Sequence, residues 1–377
     1  MALRDPRRSG RRQRTHGPQR RLHNTAILYN GRPHVFYWDN TDDTLRHAYY
    51  NGSFWAFEIL DGKGGPNGRM NGGVGEEGAA ILYNGRPHVF YRSDGIDSLR
   101  HAYYNGSAWA FETLDGQGGP NGRINADVGW ENSVVLYNGR PHVFYYNSTN
   151  DTLRHAYYNG WAWIFETLDG AGGPNGRVSS DVGEYGAVIL YNGRPHVFYH
   201  ADALNSLRHA YYNGSAWIFE TLDGQGGPNG RINATVGIDN AALLYNGRPH
   251  LFYYDANNGN LRHAYYNGSA WGFRDARRPT DPDPMVASTP TSAWRTRRSS
   301  TTAALGSSTT TTRTGTCATP TTTVRRGASR GSTEPVEPTV APTSLSACST
   351  PLSSYNGRPH VFYWDIDNAD LRHAYFG

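Results

Sequence analysis

Short apolar runs alternate with Gly- and Asn-rich turns along most of the chain, and they do so at a fixed interval. The motif YNGRPH begins at Tyr29, Tyr83, Tyr137, Tyr191 and Tyr245, each 54 residues after the one before, and once more at Tyr355. Within a unit, AAILY leads through Asn-Gly into RPHVFY, and LRHAYY leads through a second Asn-Gly into SAWAFETLDG. Asn-Gly between β-prone runs indicates a tight hairpin because both residues tolerate positive φ. The aromatic and β-branched residues favour strands, and helical periodicity is absent.

Each unit is therefore predicted to form four antiparallel strands, and the fold class is all-β. Several four-stranded units in tandem are typical of a β-propeller with one blade per unit. A β-solenoid is the alternative, although its coils are shorter and lack two tight hairpins each. The 110 residues between Tyr245 and Tyr355 are two periods of 55, so one unit is absent from view. We predict seven intended blades, with five intact, a scrambled sixth and an incomplete seventh.

The absent unit coincides with a Thr-rich stretch, TTAALGSSTTTTRTGTCATPTTTVRRGASR, at residues 301 to 330. A Thr-rich linker or an O-glycosylated stalk is one explanation of such a composition. A change of reading frame is the other, because GC-rich codons for Tyr-Asn-Gly-Arg, read one nucleotide late, encode Thr-Thr-Ala-Ala. The frame change accounts better for the origin of the stretch, and the linker remains an interpretation of the polypeptide as made. RDPRR and RDARR, at Arg4 and Arg274, correspond to the repeat sequence FETLDG in the other shifted frame.

The organisation that follows has four parts. They are an out-of-frame basic tail at 1–22, five intact blades at 23–273, a frame-shifted Thr/Arg-rich segment at 274–353 that we expect to be disordered, and a partial last blade at 354–377. No apolar run has the length of a membrane span, and the N-terminus lacks the apolar core of a signal peptide. A start codon and signal peptide could lie upstream in the gene, lost through the altered frame, so secretion stays an alternative. Cys317 and Cys348 both lie in the irregular segment, so a disulfide framework is not indicated.

The formal net charge of +4 comes from the irregular segments. Residues 1–22 and 274–353 together contain 18 Arg and 6 acidic residues, which leaves 18 basic and 26 acidic residues for the rest. An acidic repeat array does not suit a polyphosphate partner, so nucleic-acid binding is excluded as the function of the blades.

Two histidines recur in every intact unit, one in the second predicted strand and one in the third. They could fall opposite each other across the hairpin. Three roles compete for them: packing between blades, metal binding, and hydrogen bonding to a ligand. Metal binding is the weakest, because two His without a nearby third ligand do not complete a tetrahedral site. Each neutral ring offers a ligand one donor and one acceptor.

One tryptophan per unit follows the second Asn-Gly. It suits packing between blades or stacking against the apolar face of a sugar. Arg32 and Arg46 also recur, and we expect one of them to pair with a blade carboxylate such as Glu58 or Asp61. Because the polar residues repeat in every blade, no asymmetric catalytic set is evident. We therefore predict that the protein is not an enzyme. The residues at some rim positions vary between units, so a catalytic site there stays an alternative; these residues are Trp130, Glu131, Glu184 and Tyr185.

The unit HVFYWDNTDDTLRHAYYNGSFW resembles the blades of fucose-binding propeller lectins, of both the fungal fruiting-body type and the seven-bladed bacterial type. The shared features are the V-(F/Y)-Y strand, the short Asp/Asn turn, Leu-Arg and the (N/D)-G-x-W end. The resemblance implies a sugar site formed by residues of the second and third strands and an aromatic residue near the blade end. These positions are His34, His47 and Trp55, and His stands where the fungal family has Arg and Glu.

We therefore expect a multivalent, non-catalytic carbohydrate-binding propeller. Its partners would be glycans, with cell-surface glycoconjugates as a candidate, and neither a cofactor nor a metal is predicted. A protein-interaction platform and a glycoside-acting enzyme are the alternatives. The candidate sugar-binding residues are His34, His47, Trp55, His88, His101, Trp109, His142, His155, Trp163, His196, His209, Trp217, His250, His263 and Trp271.

Overall fold

The structure, a computed structural model, describes residues 24–39, 41–66, 73–120, 126–174, 181–228 and 235–275, and the strand backbone at 352–355, 358–365 and 370–375. The predicted out-of-frame tail at 1–22 and most of the segment at 274–353 lie outside the described residues. Within the described part, no helix is long and apolar enough to cross a membrane.

Five four-stranded antiparallel sheets follow one another along the chain, with their strands hydrogen-bonded in sequence order. Blade 1 contains β1 (Thr25–Tyr29), β2 (Arg32–Asp39), β3 (Thr44–Tyr50) and β4 (Trp55–Asp61). Blade 2 contains β5 (Val74–Tyr83), β6 (Arg86–Ser93), β7 (Ser98–Tyr104) and β8 (Trp109–Asp115). Blade 3 contains β9 (Val128–Tyr137), β10 (Arg140–Asn147), β11 (Thr152–Tyr158) and β12 (Trp163–Asp169). Blade 4 contains β13 (Val182–Tyr191), β14 (Arg194–Ala201), β15 (Ser206–Tyr212) and β16 (Trp217–Asp223).

Blade 5 contains β17 (Val236–Tyr245), β18 (Arg248–Asp255), β19 (Asn260–Tyr266) and β20 (Trp271–Asp275). A three-stranded sheet follows, with β21 (Leu352–Tyr355), β22 (Arg358–Asp365) and β23 (Asp370–Tyr375). The propeller-blade architecture predicted from the repeats is confirmed for these five units. The intended count of seven stays a prediction, and β21 begins two residues before the predicted start of the last blade.

The first Asn-Gly of each unit forms the predicted hairpin. Asn30 and Gly31 have φ of 51° and 71°, and the same pair of left-handed residues closes the corresponding hairpin of blades 2 to 5. This geometry matches the right-handed twist of the flanking strands. The turn therefore fixes the register of the first two strands in each blade.

Neighbouring blades pack face to face, and the hydrophobic core lies between them. One such cluster joins Phe90, Leu99 and Leu114 of blade 2 to Val143 and Tyr145 of blade 3. The first strands of consecutive blades also contact each other, which places them at the inner edge of the array. Each core needs residues of two units, because one sheet cannot bury its apolar face alone.

A glycine in the repeated Val-Gly permits the close approach of successive blades. Gly75 has φ of 104°, and a Cβ built there would lie 2.7 Å from Cα of Leu45 in the preceding blade. Both the backbone conformation and the space therefore require glycine at this position.

A buried ion pair joins each blade to the next. Asp61 at the end of β4 accepts hydrogen bonds from the Tyr91 hydroxyl (2.5 Å) and from Nε of Arg100 (3.2 Å), both in blade 2. Asp61 is fully buried. The predicted pairing of one Arg per blade with a carboxylate is thus observed, but across the blade boundary. The equivalent Asp–Tyr–Arg clusters are Asp115 with Tyr145 and Arg154, Asp169 with Tyr199 and Arg208, and Asp223 with Tyr253 and Arg262.

Candidate functional site between blades

The two repeated histidines of a unit form a direct hydrogen bond. In blade 2, Nδ1 of His88 lies 2.9 Å from Nε2 of His101. The two residues are not directly opposite, because the register pairs Phe90 with His101 and His88 with Tyr103. The bond therefore runs diagonally across β6 and β7, and the same 2.9 Å contact recurs in each of the five described blades.

A glutamate of the fourth strand extends this pair. Nδ1 of His101 lies 2.8 Å from Oε1 of Glu112, which is directly opposite it in the register of β7 and β8. His101 is 3% exposed, whereas the Glu112 side chain is 42% exposed. The three side chains form what we call the His–His–Glu network, which connects a solvent-accessible carboxylate through a buried ring to a second histidine.

The tryptophan at this network belongs to the following blade. Trp163 of blade 3 donates from Nε1 to Oε1 of Glu112 at 3.2 Å and meets the His101 ring edge-on at 5.6 Å. On the same face of the sheet, His101 stacks on its cross-strand neighbour Phe90 with an interplanar angle of 4°. The candidate site is therefore a cleft shared by two blades.

Four such clefts lie among the described residues. Cleft 1 contains His34, His47, Glu58 and Trp109, and cleft 2 contains His88, His101, Glu112 and Trp163. Cleft 3 contains His142, His155, Glu166 and Trp217, and cleft 4 contains His196, His209, Glu220 and Trp271.

The glutamate sets the direction of every hydrogen bond in the network. A carboxylate only accepts, so Nδ1 of His101 must carry a proton, and Nε2 of the neutral ring must accept one from Nδ1 of His88. Nε2 of His88 is then an acceptor, and it makes no hydrogen bond within the described residues. Each cleft thus contains an imidazole acceptor.

Burial keeps these histidines neutral. Desolvation, followed by the neighbouring His101 and Arg86, lowers the pKa of His88 to about 3. Burial likewise lowers the pKa of His101, against the opposing effect of Glu112. The hydrogen bond from His47 holds the pKa of Glu58 below its usual range, although burial opposes it. At neutral pH clefts 2 to 4 therefore contain two neutral rings and one carboxylate each.

The structure separates the residues grouped by the sequence prediction. Trp55 packs against Tyr50 and is 46% exposed, and its own blade's His34 and His47 lie instead with Trp109. In blades 2 to 5 this Trp contacts the third-strand histidine of the preceding blade. Glu58 and its equivalents were missed as site residues. They could have been found by counting outward from the second Asn-Gly turn, since this count pairs His47 with Glu58.

The fifth pair differs from the other four. Arg274 stands where blades 1 to 4 have glutamate, and its Nε donates to Nδ1 of His263 at 3.1 Å. The same guanidinium lies 5.4 Å from the Tyr265 ring. Asp275 replaces the repeated threonine and accepts from Nη1 of Arg262 at 2.7 Å. The candidate residues His250 and His263 thus belong to a site of different charge.

The variable rim residues take other positions. Trp130 donates to Asp127 at 2.8 Å, and its ring lies 3.9 Å from the Arg92 guanidinium, so packing accounts for it. Glu131 and Tyr185 occupy bulges in the inner strands, with φ of 54° and 59°. Glu184 pairs with His200 in the register of β13 and β14. Within the described ranges, no three His, Cys, Asp or Glu side chains are arranged to hold a metal ion.

No protein-family model and no curated protein matches the chain. Among solved structures, it is similar to the sialidase of Trypanosoma rangeli in complex with sialic acid, with 10% identity, a TM-score of 0.46 and coverage of 94% of this chain and 54% of that one. A thermostable family-43 glycoside hydrolase gives 13% identity, a TM-score of 0.41 and coverage of 70% and 96%. A fucose lectin from Kordia zhangzhouensis in complex with methyl-fucoside gives 18% identity and a TM-score of 0.26, with coverage of 38% of this chain and 96% of that one. The chain thus spans about half the length of the trypanosomal enzyme.

These comparisons correct one expectation. The sequence predicted a protein that is not an enzyme, whereas most of the similar structures are glycoside hydrolases or sialidases. The expectation is wrong on that finding, and we do not retain it. At these identities and TM-scores, likeness to the individual structures establishes nothing about activity.

Proposed function

We propose that the protein binds carbohydrate in clefts 1 to 4. The observation that carries the proposal is the fourfold repetition, at equal geometry, of an exposed carboxylate, an imidazole acceptor and an aromatic ring from the next blade. Sugars present hydroxyl donors beside apolar C–H faces, and this combination of groups suits both. The resemblance of the repeat to lectin blades supports the same class of ligand.

Four equal sites on one array favour a clustered ligand. Binding to a second site becomes intramolecular once the first is occupied, so weak sites can hold a multivalent glycan by avidity. In each cleft we call the second-strand histidine the outer histidine and the third-strand histidine the inner one. The outer histidine accepts a hydrogen bond from a sugar hydroxyl, and the glutamate repels anions. Neutral, hydroxyl-rich sugars therefore fit these clefts best. We propose neutral glycans, on a cell surface or in a polysaccharide, as the partners.

The matched pair of variants Trp163→Ala and Trp55→Ala tests the assignment. Trp163→Ala removes the aromatic wall of cleft 2, and we expect the number of sugar sites per chain to fall from four to three. Trp55→Ala removes the same repeat residue where no preceding described blade contributes a His pair, and the number should stay at four. Isothermal titration with a neutral glycan chosen from an array gives the count. Equal losses in both variants, or no glycan bound at all, would contradict the proposal.

A glycoside-cleaving activity at the inner strands is a second candidate. The observation that favours it is backbone strain at bulky polar residues in equivalent bulges, where left-handed φ is costly. The residues are Glu77 (56°), Glu131 (54°), Tyr185 (59°) and Asp239 (55°). Asn132 and Asn240 donate to the carbonyl oxygens of Glu77 and Tyr185 in the preceding blades, which holds these bulges against one another. Paired carboxylates are the groups that glycoside hydrolysis uses.

A reducing-end assay on neutral oligosaccharides tests this second candidate. We expect Glu131→Gln to reduce the rate at least about a hundredfold, because general acid–base catalysis contributes that much. Glu334→Gln, a matched substitution outside the five blades, should leave the rate constant for cleavage unchanged. The absence of sugar release by the unmodified chain, or release that Glu131→Gln does not alter, would rule the activity out.

A further inference from the structure

The fifth His pair keeps the geometry of the other four but receives its hydrogen bond from the opposite kind of group. The His250–His263 distance is 2.9 Å, as in clefts 1 to 4. A glutamate accepts from the inner histidine in those clefts, whereas Arg274 can only donate to it. The change at one residue therefore determines which nitrogens carry protons along the whole pair.

We infer that the hydrogen-bond polarity of this pair is reversed, and that the fifth site takes an anionic sugar such as a uronic acid. Nδ1 of His263 accepts from Arg274, so the neutral ring carries its proton on Nε2 and donates to Nδ1 of His250. The neutral His250 must then carry its proton on Nε2. Nε2 is thus an acceptor in His88 and its equivalents and a donor in His250.

The charge around the site agrees with this polarity. Clefts 1 to 4 contain a carboxylate that repels anions, and the fifth site replaces it with the exposed guanidinium of Arg274. Guanidinium groups bind carboxylates through charge-assisted hydrogen bonds, and the His250 N–H adds a second donor. Burial, together with Arg274, lowers the pKa of His250 to about 4, so the ring stays neutral at pH 7. One chain thus contains two kinds of site.

This inference rests on the proposed carbohydrate function, but its first test does not. Nitrogen-15 NMR of histidine side chains in the full chain distinguishes the two neutral tautomers, with resonances assigned by single His→Gln variants. We expect His88, His142 and His196 protonated on Nδ1 and His250 protonated on Nε2. Arg274→Glu should move the His250 proton to Nδ1, and Asp275→Thr, which restores only the neighbouring repeat residue, should leave it on Nε2. The same tautomer for all outer histidines would overturn the inference.

The second test uses polygalacturonate and its fully methyl-esterified form, in which each carboxylate is replaced by a neutral methyl ester. We expect the native chain to bind the acid form, and Arg274→Glu to weaken that binding at least about tenfold, the scale of one hydrogen bond to a charged group. Arg298→Glu makes the same change in net charge elsewhere in the chain and should not weaken binding of the acid form. Acid-form binding that is unaffected by Arg274→Glu, or lost equally with Arg298→Glu, contradicts the site. If the native chain binds the acid form but no neutral glycan, the result counts against clefts 1 to 4 and not against the fifth site.

Discussion

Replacing Asp115 with alanine should lower the free energy of unfolding by about 3–5 kcal/mol, the cost of removing one partner from a buried ion pair. Asp115 is fully buried between blades 2 and 3 and accepts hydrogen bonds from Tyr145 and Arg154. The substitution leaves the Arg154 cation, whose side chain is 9% exposed, without its counter-charge. Urea unfolding followed by tryptophan fluorescence measures the change.

The first blade provides the matched control for this effect. Arg46 is the repeat equivalent of Arg154, but its side chain is 25% exposed and its ion pair is a longer one, 3.6 Å, with Asp39 of its own blade. We expect Arg46→Met to change the unfolding free energy by less than about 1 kcal/mol, as exposed pairs do. The double variant Asp115→Ala, Arg154→Met should be less destabilised than Asp115→Ala alone, since no buried charge then remains. Equal losses for Arg46→Met and Asp115→Ala would show that the cluster does not join the blades.

The repeat made the strands predictable because each boundary is determined by local chemistry. Asn30–Gly31 and its equivalents adopt left-handed φ at both residues, and the aromatic and β-branched residues of RPHVFY and LRHAYY favour strands. Because the units recur at a fixed interval, a correct strand assignment in one unit applies to all five. Neither step requires knowledge of which residues meet across a blade boundary.

Contacts between units are what the sequence could not supply. The prediction grouped His34, His47 and Trp55 within one repeat, whereas Trp109 of the next repeat fills the position. In near-identical units the same residue names fit either arrangement, so only the packing of one blade on another decides. Glu58 was considered as a partner for arginine, and Asp61 took that role across the boundary because it lies at the buried end of the strand.

The repeat pattern changes at the end of blade 5, where we predict the change of reading frame. Arg274 and Asp275 occupy the positions of the repeated Glu and Thr, and both make hydrogen bonds in the existing geometry. The fourth strand, Trp271–Asp275, includes both residues. An altered pair of residues therefore changes the chemistry of a site before it changes the sheet.

The second large effect expected is a loss of stability in mild acid. Burial lowers the pKa of His88, His142 and His196 to about 3, from 6.5 in the unfolded chain. Between these values the unfolded state binds a proton that the native state does not, so stability is complete above pH 6.5 and falls as the pH decreases toward 3. Each ring adds at most about 1.4 kcal/mol per pH unit, or about 4 kcal/mol per unit for the three.

The triple variant His88→Gln, His142→Gln, His196→Gln removes these three titrations while leaving amide groups that can still donate and accept. We expect thermal-unfolding midpoints of the native chain to fall steeply between pH 6.5 and 4.5. Those of the variant should fall less steeply, by the share of the three removed rings, because the buried third-strand histidines still titrate in it. Glu58 and its equivalents, whose pKa is also lowered, destabilise both proteins alike below about pH 4.5. Parallel curves for the two proteins would contradict the neutral state of the histidines. That state also underlies the acceptor in each cleft, so sugar binding should persist down to the pH at which the blades unfold.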